Sequence, residues 1–197
     1  MSTIAIWGAG FIGRSIGEAL SAAGHHVIYA TRGEPGERDG VTLVSYADSV
    51  TQCDAVILAV PGPALDETLF QHAELLDGRL LIDPTNVIET DTFHQLPLFA
   101  TYVPRARVAR AWSSLGGMAM QSPLINGTRS DLIWCGVDGA DGDLVNSLIA
   151  DSGLRPVRVG GLEAVGIVEA ATRLVLGLIF GAGWPHGTGL QLLRPES

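Results

Sequence analysis

Cationic side chains are scarce in this sequence. The 197 residues include 12 Lys and Arg against 21 Asp and Glu, so the formal net charge is −9 and the pI is near 4.8. The cations are scattered singly, and no basic stripe is available to follow a phosphate backbone. We therefore expect a small-molecule substrate and no nucleic-acid partner.

Cysteine and metal-binding patterns are scarce as well. Cys53 and Cys135 belong to no CxxC pair and lie in or beside apolar runs, so buried free thiols in a reducing cytoplasm are expected. The sequence has no HExxH motif and no clustered His and carboxylate spacing, which argues against a metal.

Long hydrophobic runs are limited. The first residues, MSTIAIWGAG, lack a basic segment and read as a strand, not as a signal peptide. The apolar stretch 174–184 is broken by glycines and is shorter than the roughly 20 residues that a membrane span needs. We expect a cytoplasmic protein without a membrane segment, in which 47% hydrophobic residues build the core.

Short apolar runs alternate with helical patterns along the chain. This alternation predicts an α/β fold with a doubly wound, mostly parallel Rossmann-like sheet and a C-terminal apolar helix. We predict a single domain over 1–197, with 1–136 as a dinucleotide-binding core and 137–197 as a helix–strand–helix extension. The predicted strands are 3–7, 26–30, 41–44, 54–60, 79–83, 106–111, 131–136 and 155–159, and the predicted helices are 11–23, 46–51, 63–74, 140–152 and 162–182.

The first strand leads directly into a glycine-rich turn, IWGAGFIG. Gly8, Gly10 and Gly13 have the GxGxxG spacing and open a helical pattern, which is the context that a dinucleotide fingerprint requires. Gly8 permits the tight turn, and Gly10 lets the backbone approach a diphosphate. The helix N-terminus near Phe11 offers N–H groups to that diphosphate.

The end of the second predicted strand indicates which dinucleotide binds. NAD-preferring folds usually place an acid there, whereas this chain has Thr31 and Arg32. A hydroxyl and a planar cation suit a 2′-phosphate, so NADP(H) is the predicted cofactor. Arg38 becomes a second cation if the loop GEPGERDG folds over the site. The alternative is that Arg32 is a solvated surface residue.

Two loop regions, 84–105 and 112–130, follow predicted strands and are interpreted as site-forming. Val60 and Pro61 end one strand, and Asn86 follows another, where polar groups can meet a nicotinamide. Ser113 and His94 are weak candidates for catalysis, since each has an ordinary loop role as its alternative.

Taken in order, several motifs resemble the coenzyme F-420-dependent NADP oxidoreductases, the deazaflavin-linked NADP reductases. The similar stretches are IAIWGAGFIGRSIGEALSAAGHHVIYATRG, CDAVILAVP, LLIDPTNVI, ARAWSSLGG, WCGVDG, SGLRPVRVGGL and the closing helix with Glu169. The resemblance covers nearly the whole chain.

The resemblance implies a residue-by-residue site. The turn Ala9, Gly10, Phe11 and Ile12 would hold the pyrophosphate, and Thr31 with Arg32 the 2′-phosphate. Val60, Pro61 and Asn86 would line the nicotinamide half, and hydride would pass directly to a stacked acceptor such as coenzyme F-420. Where many members have Ala-Phe-Asn-Thr, this chain has Ala111 to Ser114, and Arg158 stands where an acid is common.

Two further expectations stay open to alternatives. The segment 165–180 is apolar nearly all round, which favours a homodimer through the C-terminal helix over a single central helix. An imine, enone or keto reductase on the same fold would need a proton donor such as His94, Ser113 or His186. A non-enzymatic NADPH-binding redox sensor is the third hypothesis.

Overall fold

The protein, described here by a computed structural model for residues 1–193, is an α/β fold. Its strands in chain order are β1 Thr3–Trp7, β2 His26–Thr31, β3 Gly36–Arg38, β4 Val41–Ser45, β5 Ala55–Ile57, β6 Leu80–Asp83, β7 Arg107–Arg110, β8 Leu124–Ile125, β9 Thr128–Arg129, β10 Asp131–Gly136 and β11 Arg155–Arg158. Its helices are α1 Phe11–Ala22, α2 Tyr46–Ser49, α3 Leu65–Gln71, α4 Ala73–Leu76, α5 Leu96–Tyr102, α6 Gly117–Gln121, α7 Gly139–Asp151 and α8 Val165–Leu176.

Nine of the strands form one sheet in the order β11-β10-β7-β6-β5-β1-β2-β4-β3. Pairing is parallel except between β3 and β4 and between β7 and β10. The central β1 has β2 on one side and β5 on the other, so the chain reverses its direction of winding there. This topological switch point opens a crevice at the carboxyl ends of the strands, where doubly wound sheets bind ligands. The predicted fold class is confirmed.

Both faces of the sheet are buried because β1 directs alternate side chains to opposite sides. Ile4 and Ile6 belong to the core that contains apolar residues of α1 and α7. Ala5 and Trp7 belong to a second core, which contains residues of α2, α3 and α5. This explains why the strands are apolar at consecutive positions instead of alternating positions.

Several predicted bounds were wrong for local reasons. The helix predicted over 63–74 is interrupted at His72, whose ring packs edge-on against Trp7 and Tyr46 at centroid distances of 5.6 and 4.9 Å. Burial lowers the pKa of His72. The strand predicted over 54–60 is shorter, Ala55–Ile57, and β3 was not predicted at all.

The two loop regions contain regular structure that the sequence pattern concealed. Residues 84–105 include α5, where Pro97 occupies the first turn and is compatible with a helix start. Phe99 anchors α5 in the second core. Residues 112–130 include α6 and the β8–β9 hairpin. Short helices with few periodic apolar positions give little sequence signal, which is why both regions read as loops.

The C-terminal part of the described chain continues the same sheet. β11 pairs in parallel with β10, and Val168 of α8 packs with Ile133 and Cys135 of β10. The division into 1–136 and 137–197 stays a prediction, and residues 194–197 lie outside the described structure. Both cysteines are free, and burial raises the pKa of the Cys135 thiol to about 11.

The C-terminal helical segment extends beyond α8 through short 3-10 and π turns. Within residues 1–193, the helical segment Leu162–Gly181 is 20 residues long and contains an 18-residue window with a mean hydropathy of 1.7, so by length and composition alone it could cross a membrane. Its inner face contains the buried residues Val168, Glu169, Thr172 and Val175. The helix is therefore longer than the apolar run used in the sequence argument, and the absence of a membrane segment stays a prediction.

Candidate functional site: a two-part cleft at the switch point

The glycine-rich turn between β1 and α1 needs glycine for steric reasons at two positions. Gly8 has φ +106°, and a Cβ there would lie 2.4 Å from the carbonyl oxygen of Ala59. A Cβ on Gly13 would lie 2.0 Å from the carbonyl oxygen of Gly8. Side chains at these positions would push the turn away from β5 or from itself, so both glycines maintain the close strand–helix approach.

Gly10 serves a different purpose. A Cβ there would meet nothing within 4 Å, because Gly10 faces the open cleft. It stands directly before α1, whose first-turn N–H groups lack helical partners and lie at the positive end of the helix dipole. Open space beside free N–H groups is the arrangement that a diphosphate fits.

The cleft consists of two cavities that share the residues around this turn. One has a volume of about 510 Å³ and the other about 520 Å³, and both are lined by Gly8, Gly10, Val60 and Pro61. The first extends towards the ends of β2 and β4, and the second towards the ends of β6 and β7. Together they form an extended groove across the switch point, which suits an extended dinucleotide.

The first cavity is lined by arginines. Thr31, Arg32 and Arg38 all line it, so the loop that carries Arg38 does fold over this end of the cleft. The Thr31 hydroxyl oxygen accepts a hydrogen bond of 3.1 Å from the Gly33 N–H. Arg32 is exposed, and its Nη1 lies 3.3 Å from Oε2 of Glu67. Phosphate oxygens could compete for this guanidinium at little cost, because exposed ion pairs contribute little stability.

An aromatic stack supports the same cavity. The ring of Tyr46 lies parallel to that of Trp7, with centroids 3.9 Å apart and an interplanar angle of 6°. The Trp7 indole Nε1 donates to the Ser49 hydroxyl at 2.9 Å, which fixes the stack. Burial raises the pKa of Tyr46, while nearby Arg32 opposes the shift. The charged residues that line this cavity are Arg14, Arg32, Arg38 and Asp39.

The second cavity contrasts with the first in its chemistry. Its lining within residues 1–193 includes no Asp, Glu, His, Lys, Arg, Cys or Tyr. The residues found only here are Phe11, Ile12, Ala59, Gly62, Pro84, Thr85, Asn86, Trp112 and Leu115. A flat, largely apolar ligand part would be bound here, with few hydrogen bonds to orient it.

A buried polar network lies behind the second cavity and includes Arg110, which the sequence argument missed. Arg110 and Asp83 are both fully buried, and Nη1 of Arg110 lies 2.8 Å from Oδ2 of Asp83. Asp83 Oδ1 accepts hydrogen bonds from the backbone N–H and the hydroxyl of Thr85. The signal for Arg110 was available, because a charged residue inside an apolar strand needs a buried partner.

This network determines how Asn86 is used. Its Oδ1 accepts from Nη2 of Arg110 at 2.7 Å, and its Nδ2 donates to the carbonyl oxygen of Ser113 at 3.0 Å. The amide side chain therefore joins the end of β6 to the loop after β7, and one N–H and one lone pair remain for a ligand. Asn86 lines the cavity as the resemblance implied, but it acts chiefly as a brace.

The Trp112-Ser113 loop is bent and tightly buried. Trp112 has φ +57°, an uncommon backbone conformation for tryptophan, and its side chain lines the second cavity. Within the described residues, Trp112 Nε1, Ser113 Oγ and Arg110 Nε are buried without a hydrogen-bond partner. Ser113 does not line the cavity. Its carbonyl oxygen accepts the hydrogen bond from Nδ2 of Asn86.

His94 lies outside both cavities, in a loop held by α8. Its backbone N–H donates to Oε1 of Glu169 at 2.7 Å, and its ring Nδ1 accepts from the Leu96 N–H at 3.2 Å. Four residues along α8, the guanidinium of Arg173 lies 4.0 Å from the centroid of the Phe93 ring. The C-terminal helix thus fixes this loop through Glu169 and Arg173.

The structure brings together most of the residues predicted for the cofactor. The members that line the cleft are Gly8, Ala9, Gly10, Phe11, Ile12, Thr31, Arg32, Val60, Pro61 and Asn86. Gly13 packs against the carbonyl oxygen of Gly8 and does not line the cleft. Ser113 and His94 do not line it either. No group of three metal-ligating side chains is found within residues 1–193. The roles of these residues in binding and catalysis stay predictions.

The switch-point cleft and the glycine-rich turn define a Rossmann-type dinucleotide-binding protein. In a comparison with known proteins, residues 3–87 match the family described as coenzyme F420-dependent NADP oxidoreductases, so the resemblance seen in the sequence is confirmed over those residues. The matched family and the curated relatives are NAD(P)-dependent oxidoreductases, which agrees with the predicted class of enzyme.

Individual relatives agree on the fold. An Arthrobacter structure provisionally named an F-420-dependent NADP reductase has a TM-score of 0.79, 21% identity, and covers 98% of this chain and 100% of its own. A hypothetical protein from Sinorhizobium meliloti has a TM-score of 0.71 and 28% identity, covering 84% of this chain and 88% of its own.

Among curated sequences, a glycerol-3-phosphate dehydrogenase [NAD(P)+] of Pseudomonas fluorescens is 29% identical over 125 residues, which cover 53% of this chain and 37% of the relative. The chain thus spans little more than a third of the length of this relative.

Proposed function

We propose that this protein is an NADPH-dependent oxidoreductase that transfers hydride directly between the nicotinamide and a flat, conjugated acceptor, with coenzyme F-420 as the acceptor favoured by the family match. The cofactor would lie across both cavities, with its 2′-phosphate near Arg32 and Arg38 and its nicotinamide beside Trp112. When bound, it supplies the hydride.

The observation that carries this proposal is the absence of any ionisable side chain from the lining of the second cavity within residues 1–193. Reduction of a ketone or an imine commonly uses a positioned proton donor, which must reach the substrate directly or through one water. Hydride transfer to a conjugated ring depends mainly on proximity and parallel orientation. The apolar walls from Phe11, Ile12 and Trp112 suit such stacking.

The test is turnover of NADPH with acceptors of different chemistry. We expect the purified chain to oxidise NADPH with coenzyme F-420, and the variants Ser113→Ala and His94→Ala to retain turnover within a few-fold, because neither side chain lines the cleft. Stopped-flow absorbance of NADPH follows the reaction.

The outcomes separate the alternatives. Turnover with a ketone or an imine that is lost in His94→Ala or Ser113→Ala, while NADPH still binds, would support the reductase with a proton donor. Tight NADPH binding without turnover on any acceptor would support the redox sensor.

We also propose that α8 mediates a homodimer. Its outward residues are mostly apolar or small, with Ile167 55% exposed, Leu174 52% exposed, and Gly166 and Ala170 also exposed; the exposed charged residue of α8 is Arg173. Ile167 and Leu174 are seven residues apart and share one helix face. A second copy is the favoured occupant, because a chain of net charge −9 can meet itself only through a face with few charges.

For the dimer, we expect Ile167→Glu to convert the protein to a monomer in light-scattering chromatography, since it places a carboxylate at the self-complementary face. Leu124→Glu is the matched control, because Leu124 is 60% exposed on β8 and lies outside this helix. A wild-type chain that elutes as a monomer at micromolar concentration would contradict the proposal.

A further inference from the structure

The hairpin formed by β3, β4 and the turn between them carries Arg38 to the first cavity. Parallel pairing with β2 fixes β4 in the sheet, whereas β3 and the turn have few attachments of their own. All three residues of β3 are exposed, and β3 is an edge strand that pairs only with β4. The turn contains Asp39 at φ +50° and Gly40 at φ +79°. Such a short, exposed hairpin is flexible unless something else fixes it.

The guanidinium of Arg14 makes that attachment. Its Nη1 donates to the carbonyl oxygen of Asp39 at 2.8 Å, and its Nη2 donates to that of Arg38 at 3.2 Å. Its Nη2 also lies 3.7 Å from the Asp39 carboxylate. Within residues 1–193, these are the hydrogen bonds that join residues 36–40 to any part of the chain outside the hairpin.

The third donor of the same side chain reaches the glycine-rich turn. Arg14 Nε donates to the carbonyl oxygen of Ala9 at 2.9 Å. Arg14 lies in the first turns of α1, and its side chain is 24% exposed and lines the first cavity. A single planar fork therefore couples the turn at the diphosphate end to the hairpin that carries Arg38. Lysine, with one point charge and no fork, does not reproduce this geometry.

We propose that Arg14 is a positioning residue for NADPH selectivity: it fixes the hairpin against the glycine-rich turn and so holds Arg38 where the 2′-phosphate would lie. The inference rests on the proposed NADPH-binding function. Three of the five N–H groups of Arg14 are directed at backbone carbonyls, two of them on the hairpin, so the role inferred for it is to position Arg38. The loss of Arg14 should then weaken NADPH binding more than NADH binding.

The experiment is a double-mutant cycle, in which the affinities for NADPH and NADH are measured by titration of the purified protein. We expect Arg14→Ala to reduce the ratio of NADPH to NADH affinity roughly threefold to tenfold. Arg14→Lys should show a similar loss, since lysine keeps the charge but lacks the planar set of N–H donors. In the Arg38→Ala background, Arg14→Ala should cause no further change in the ratio.

Arg158→Ala is the matched control, because Arg158 also donates to two backbone carbonyls, those of Gly136 and Val137, but lies on β11 at the opposite edge of the sheet. Its ratio should equal that of the wild type. A wild-type ratio in Arg14→Lys, or multiplicative losses from Arg14→Ala and Arg38→Ala, would overturn the proposal.

Amide hydrogen exchange of residues 38–40 in the cofactor-free protein gives a second readout. We expect Arg14→Ala to speed exchange several-fold, because the hairpin opens more often. An unchanged exchange rate would overturn the proposal that Arg14 fixes the hairpin. A wild-type chain that binds NADPH no better than NADH would instead overturn the proposed cofactor, and with it the link from Arg14 to the 2′-phosphate.

Discussion

Replacing Asp83 by alanine is expected to lower the free energy of unfolding by about 3–5 kcal/mol. The substitution leaves the fully buried Arg110 guanidinium without its counter-charge and removes the acceptor for both Thr85 donors. An uncompensated charge inside a sheet costs far more than the pair contributes when intact. Urea denaturation followed by circular dichroism measures the change.

Two further variants check the cause of this loss. Asp77→Ala removes the partner of an exposed arginine, Arg105, and should cost much less, because solvent screens that pair. The double replacement Asp83→Leu with Arg110→Met should recover part of the stability lost in Asp83→Ala, since no charge stays buried. An Asp83→Ala protein as stable as the wild type would show that Arg110 finds water or another acceptor.

Replacing Arg32 by alanine is expected to weaken NADPH binding roughly tenfold to a hundredfold and to leave NADH binding nearly unchanged. Arg32 lines the first cavity at the end of β2, where only NADPH carries a phosphate. The size of the effect reflects charge-assisted hydrogen bonds to a dianionic group. Isothermal titration with both nucleotides measures the two affinities.

The ion pair between Arg32 and Glu67 allows a control variant in which NADPH affinity is expected to rise. Glu67→Gln frees the guanidinium from its carboxylate partner and should raise NADPH affinity slightly. Arg105→Ala removes an equally exposed, paired arginine away from the cleft and should change neither affinity. An unchanged NADPH to NADH ratio in Arg32→Ala would mean that Arg32 is the solvated surface residue of the alternative reading.

Much of the fold could be predicted from local sequence. β1, the glycine-rich turn and α1 are specified by an apolar run, three spaced glycines and an amphipathic helix, all within 20 residues of each other. Local patterns of this kind are sufficient to predict the elements they form. By contrast, α5 and the break at His72 depend on packing against β1 and α2, which sequence periodicity does not report.

The candidate site divides in the same way. Thr31 and Arg32 could be identified because strand ends in this fold have fixed roles relative to the glycine turn. The sequence indicates that Arg110 needs a buried partner, but the partners themselves could not be identified for Arg110 or Arg14. Those of Arg14 lie as far as 25 positions away and those of Arg110 up to 27. Ser113 and His94 carried suitable chemical groups, but the structure turns neither towards the cleft.

Residue types at short, fixed spacings were sufficient to predict the class of fold and the position of the glycine-rich turn, and they are also the basis for predicting a phosphorylated cofactor. Contacts in the folded chain were needed to show which charges are buried, which side chain joins the Arg38 hairpin to the glycine-rich turn and, among residues 1–193, which end of the cleft lacks an ionisable group. Those properties arise where strands distant in sequence end side by side, so they depend on contacts that no local pattern encodes.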